Sequence, residues 1–209
     1  DRSARGSSSV RELDALLIWL ALGLLLLGLV MVYSASIAIA EGSRFTGYQP
    51  YYFVMRHALF MCVGIFGGLI AFQFPMASWQ RAAPGLFVAG VLLLILVLVP
   101  GVGREVNGAQ RWLSLGPINL QPSELMKIFA ALYAADYTVR KLDAMSSFKR
   151  GFLPMTAVII LVGGLLLREP DFGAFVVITT ITFGVLFLGG VNGRVFALLA
   201  VVAVIGFIL

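Results

Sequence analysis

Seven long apolar stretches recur along the chain, at about 15–38, 58–74, 82–100, 123–139, 152–167, 172–191 and 195–209. A helix that spans a bilayer needs about 20 mostly apolar residues, within a range of about 17–25. The stretches reach or approach that length. The first, third and sixth are the clearest, and the fourth is the most polar. Composition agrees: 60% of residues are hydrophobic and 12% are charged, whereas a soluble domain is about 45–50% apolar and about 25% charged. A water-soluble fold would have too few polar residues to cover itself. The chain is therefore read as all-α, a polytopic transmembrane helical bundle, with a polar segment at 1–14 and a membrane domain at 15–209. No fixed-period repeat and no soluble domain is visible.

The charges fix an orientation. With the N-terminus in the cytoplasm, nine cations lie inside: Arg2, Arg5, Arg11, Arg81, Arg140, Lys141, Lys149, Arg150 and Arg194. Five lie outside, Arg44, Arg56, Arg104, Arg111 and Arg168, and Lys127 sits within a helix. The positive-inside rule favours this arrangement. It also accounts for the net charge of +5, since the cations are dispersed between apolar runs and form no nucleic-acid-binding patch. The first apolar run is too long for a signal-peptide core and lacks a small-residue cleavage site. One cysteine, Cys62, excludes an intrachain disulfide, and no Cys/His cluster suggests a metal. Cys62 reads as a lipid-facing or packing residue and His57 as an interfacial one. Gly64, Gly67 and Gly68 read as positions of close helix packing. The chain starts with Asp, and its last stretch is short for a span, so a longer protein is expected.

On this topology six ionisable residues belong at one membrane face: Arg111, Glu124, Lys127, Arg168, Glu169 and Asp171. Pro122 suits the first turn of a helix. Glu124 then lies near a helix N-terminus, where the dipole favours an anion, and Lys127 shares its face three residues on. Lys127 is placed roughly 7–9 Å below the helix start. A charge at that depth is expensive unless it faces the bundle interior or a wet cavity. Pro170-Asp171 repeats the arrangement at the sixth helix. Arg and Lys at converging helix ends suit phosphate oxygens, and the carboxylates could orient them or carry a proton. A second reading stands beside this one: Glu124–Lys127 as an internal ion pair, and Arg168–Glu169 as a solvated turn. Trp112 reads as an interfacial anchor.

These same residues carry a resemblance. The run VNGAQRWLSLGPINLQPSELMK, Val106 to Lys127, resembles the hallmark of the SEDS proteins (shape, elongation, division and sporulation). So does EPDFG, Glu169 to Gly173, where the family usually has Gln in place of Glu169. GLVMVYSAS, Gly28 to Ser36, and Trp79-Gln80-Arg81 place the chain nearer the division branch than the elongation branch.

The resemblance implies ten transmembrane helices, of which about seven would be present here. It implies a peptidoglycan glycosyltransferase that polymerises lipid II into septal glycan at the bacterial cytoplasmic membrane. The implied partners are a class B penicillin-binding protein and other division proteins. The family's catalytic aspartate lies in an outer loop after the seventh helix, so no catalytic residue is assigned in this chain. Substrate binding is expected at Arg111, Gln121, Ser123, Glu124, Lys127 and Asp171, with Arg111 and Lys127 meeting the diphosphate. A divalent cation could assist, though no ligand set demands one. A lipid II flippase and a non-catalytic activator of the transpeptidase are the rival readings.

Overall fold

The structure is a computed structural model. It describes residues 15–106, 108–114, 116, 119–191 and 193. The seventh apolar stretch, the N-terminal segment and Arg194 lie outside the described residues. The chain forms two compact units, 1–74 and 75–209.

In the first unit, α1 (Ala15–Gly42) packs along α2 (Tyr52–Gln73). A short 3₁₀ turn, Arg44–Thr46, begins the connection between them. Thr46 secures it by donating its hydroxyl to the carbonyls of Ala40, at 2.5 Å, and Ser43, at 2.8 Å. The Tyr33 and Tyr51 rings stack with centroids 5.6 Å apart. No side chain of α2 is buried. Helices apolar all round, with so little inside, need lipid or further protein as cover. Cys62 is exposed, and so is His57. The packing role expected of Gly64, Gly67 and Gly68 is not found among the described residues: apart from the helix's own backbone, a Cβ at any of them would meet no atom of these within 4 Å.

The second unit holds four helices: α3 (Met76–Val97), α4 (Pro122–Arg140), α5 (Leu153–Arg168) and α6 (Phe172–Leu188). α4 is the centre, packed on both α3 and α6, while α5 packs on α6. Gly90 of α3 makes room for Met126 and Phe129 of α4, and Gly163 of α5 makes room for Phe175 of α6. Phe87, Leu94, Met126, Ala130, Val162, Leu166, Ala174 and Ile178 form the main core. A second cluster, including Ala134, Tyr137, Met155 and Leu186, lies toward the other end of α4. The polarity of α4 follows from this placement. Its Glu124, Lys127, Asp136 and Arg140 sit on a helix packed between α3 and α6, and there they form two ion pairs.

Among the described helices, α1, α2, α3 and the segment Phe148–Arg168 are long and apolar enough to cross a membrane. The 17 residues of α6 extend about 25 Å, close to a bilayer core. One element was not anticipated. The connection between α3 and α4 folds into a three-stranded antiparallel sheet of β1 (Gly103–Val106), β2 (Ala109–Ser114) and β3 (Asn119–Leu120). Gln110 anchors it, donating to the carbonyls of Val99 and Gly103.

Contacts set the sense of each helix. Phe87 stacks on Tyr133 while Gly90 meets Met126, so α3 and α4 are antiparallel. Ser123 meets Asp171 while Thr138 meets Gly189, so α4 and α6 are parallel. One end of this unit therefore gathers the sheet, the start of α4, the end of α5 and the start of α6.

Candidate functional site

That end is organised around the turn Glu169–Asp171. Side chains alternate across a strand, so Arg111 shares a face of β2 with the buried Ala109 and Leu113. This inward face directs its guanidinium to the turn. Nε donates to the Glu169 carbonyl at 3.2 Å, and Nη2 donates to the Pro170 carbonyl. Two of the five guanidinium donors are used this way, which leaves donors for an anion.

Asp171 is the N-cap of α6. Its Oδ1 accepts from the Ala174 amide at 3.2 Å, satisfying one of the free N–H groups at a helix start. Its Oδ2 accepts from the Ser123 hydroxyl at 2.8 Å and from Gln121 Nε2 at 3.1 Å. Gln121 Nε2 also lies 3.1 Å from Ser123 Oγ. Gln121 is itself the extended N-cap residue of α4, with Pro122 following in the first turn. One carboxylate thus ties two helix N-termini together.

Glu169 is the surprise. It is 0% exposed, and neither carboxyl oxygen has a hydrogen-bond partner among the described residues. Burial, reinforced by the nearby Asp171 carboxylate, pushes its pKa up to about 8 against a smaller opposing effect of Arg111. It is held as the neutral acid at pH 7. The sequence marks it only as a Glu where Gln is usual, and it was not among the expected binding residues.

Glu124 and Lys127 sit apart from this knot. Lys127 Nζ is 2.7 Å from Glu124 Oε1, with the two side chains 26% and 57% exposed. Of the expected residues, Arg111, Gln121, Ser123 and Asp171 are brought together at the turn. Glu124 and Lys127 form their own pair on α4. The spacing suggested that carboxylates orient the cations, and this holds for Lys127, which pairs with Glu124. It does not hold for Arg111, which is held by main-chain carbonyls while Asp171 binds Ser123 and Gln121. Asp136, five per cent exposed, pairs with Arg140 at 2.7 Å toward the opposite end. It went unnoticed in the sequence, where its signal is an acid four residues before an Arg inside α4.

A helical membrane bundle with a polar knot at one end defines a class, the polytopic membrane proteins. The family follows from comparison. The model of the cell cycle protein family of FtsW, RodA and SpoVE matches residues 14–209, and the chain belongs to that family. A probable peptidoglycan glycosyltransferase FtsW of Aromatoleum aromaticum is 74% identical over 209 residues, covering 100% of this chain and 51% of the relative. Its counterpart from Polynucleobacter necessarius is 51% identical over 189 residues, covering 90% of this chain and 45% of the relative. The chain spans about half the length of the curated relatives it matches. Among solved structures, a single-site mutant of the Thermus thermophilus rod shape determining protein RodA superposes with TM-score 0.64 at 28% identity, over 87% of this chain and 59% of that one. A chain from a structure titled as a peptidoglycan synthase complex that coordinates polymerization and crosslinking gives 0.62 at 28% identity, over 85% and 52%.

Proposed function

We propose that the whole protein polymerises lipid II into septal glycan outside the cytoplasmic membrane, and that this chain supplies the part that holds the substrate's diphosphate. The observation that carries the reading is the 74% identity to a probable peptidoglycan glycosyltransferase across the full length of this chain. The geometry is compatible with it. Arg111, with donors to spare, and Lys127, 26% exposed, lie at one end of the bundle. Charge that develops on a departing diphosphate would be stabilised by such fixed cations. The acceptor 4-hydroxyl would attack the donor's anomeric carbon, its proton taken by a base outside this chain, and undecaprenyl diphosphate would leave. Glu124 and Asp171 are both already paired. A divalent cation, if one assists, would therefore be held mainly by the diphosphate oxygens.

The charge distribution supports an orientation. In the second unit, the end opposite the knot carries Arg81, Arg140, Lys141, Lys149 and Arg150 against Asp136 and Asp143. The knot's end has four cations and four acids. By the positive-inside rule this favours the knot outside, where glycan would be assembled. A class B penicillin-binding protein is the proposed partner, in the division branch the transpeptidase FtsI, at the septum.

The test uses full-length protein purified in detergent and supplied with lipid II. Polymer should form without a second membrane compartment, and R111A and K127A should abolish most of it at normal protein levels. Absence of polymer from active preparations with partner present would favour a flippase or a non-catalytic activator. Full activity of both variants would remove the site assignment.

A further inference from the structure

The end of the second unit opposite the knot carries two adjoining clefts between the first turns of α3 and the last turns of α4. One has a volume of about 220 Å³ and an apolar lining that includes Met76, Trp79, Leu132 and Val139. The other, about 520 Å³, is lined by Arg81 and Arg140 among others. Gln80 and Asp136 border both, so the two clefts are neighbours. Residues 132, 135, 136 and 139 recur at helical spacing on one face of α4. Within the second unit, Met76 and Val139 are 78% and 64% exposed, so no described residue of the unit covers that face.

The charges in the polar cleft do not balance. Arg140 Nε donates to Asp136 Oδ2 at 2.7 Å, so the buried acid is matched by one guanidinium. Arg140 is nevertheless 48% exposed and keeps further donors facing outward. Arg81, exposed at the rim, adds a second positive charge with no acid of the cleft to match it. The remaining charge is +1, the complement of one phosphodiester. An apolar slot beside a cationic cleft at one end of a helical membrane bundle fits an amphiphile better than a soluble anion. Basic pockets between helices on the positive face of a membrane protein are the kind that recognise anionic headgroups.

We propose that this double cleft binds one anionic phospholipid of the adjacent leaflet. Its phosphodiester lies between Arg81 and Arg140, and an acyl chain lies along Leu132 and Val139 beside Trp79. The lipid would cover the exposed α3–α4 face and seat the bundle at the charged end.

The test is native mass spectrometry of the full-length protein, released from nanodiscs of equal parts phosphatidylglycerol and phosphatidylethanolamine. Wild-type protein should retain phosphatidylglycerol in preference. Arg81→Gln should lower that retention several-fold, and Ala135→Trp, which fills the apolar slot and leaves both cations in place, should do the same. Arg104→Gln, at the other end of the unit, should leave it unchanged. Excess inorganic phosphate should not displace the lipid, because phosphate gains nothing from the slot. The proposal is overturned if Arg81→Gln and Ala135→Trp both retain as much phosphatidylglycerol as wild type. It is overturned equally if the two lipids are retained alike, if inorganic phosphate displaces the lipid, or if wild type retains none because a protein helix fills the cleft.

Discussion

Ser123 donates its hydroxyl to Asp171 across 2.8 Å, joining the first turn of α4 to the N-cap of α6. Ser123 is 0% exposed and Asp171 5%. Removing the carboxylate would strand a hydroxyl, a side-chain amide and the Ala174 amide. A hydrogen bond to a charged group contributes about 1.5–3 kcal/mol, and an N-cap about 1 kcal/mol. Asp171→Ala should therefore destabilise the full-length protein by roughly 2–4 kcal/mol. Asp171→Asn, which keeps the cap, should cost less. Thermal unfolding in detergent measures both, and equal effects of Ala and Asn would show that the cap contributes nothing.

Glu169 gives a dependence on pH of unusual sign. In an unfolded chain a glutamate loses its proton near pH 4.5, while the folded Glu169 keeps its own up to about pH 8. Between those values the folded state binds the extra proton, so stability falls as pH rises. Its contribution is fully present below about 4.5 and is lost as pH passes about 8. Glu169→Gln fills the same space without the ionisation. The melting temperature of wild type should drop between pH 5 and pH 8.5 by an amount that Glu169→Gln largely removes; parallel pH profiles would refute this.

Arg111 separates charge from shape. Its planar fork reaches two successive carbonyls, a geometry that one ammonium cannot reproduce. Arg111→Lys should keep a positive charge at the site yet lose most lipid II polymerisation, roughly tenfold or more if one charge-assisted contact is lost. Lysine performing as well as arginine would mean that charge alone matters.

The Glu124–Lys127 pair is partly exposed, and such pairs add about 0–1 kcal/mol. Lys127→Ala should leave unfolding nearly unchanged. A large loss of polymerisation at unchanged stability would locate Lys127 on the substrate, whereas a parallel loss of both would make it structural.

Two glycines should respond oppositely. A Cβ at Gly90 would stand 2.6 Å from the Met126 sulfur and 3.0 Å from Phe129. Gly90→Val should cost about 1–3 kcal/mol through overpacking. At Gly64 a Cβ would meet no atom of the described residues beyond its own helix backbone within 4 Å, and Gly64→Ala should be neutral or stabilising by up to about 1 kcal/mol. Unfolding measurements on the two full-length variants test the contrast.

Much of the bundle was legible because long apolar runs leave few alternatives to helices. The polar α4 was readable only through Pro122 and the motif around it, since its place in the bundle depends on where α3 and α6 pack. The sheet escaped notice because strands such as Gly103–Val106 are short and polar and show no clean alternation. The Glu124–Lys127 pair could be read from its spacing of three. The hold of Arg111 could not, because carbonyl acceptors are present at every residue and carry no signature. The isolation of Glu169 was equally hidden: a carboxyl loses water and partners only through tertiary packing, which local sequence does not record.

The grip of Arg111 on main-chain oxygens has a consequence for how this turn can vary. A clasp that grasps carbonyls is indifferent to the side chains those residues bear. Position 169 can exchange an amide for an acid without releasing the strand from the turn. The anchoring and the ionisation state of this corner are therefore separable properties, and a change in one need not disturb the other.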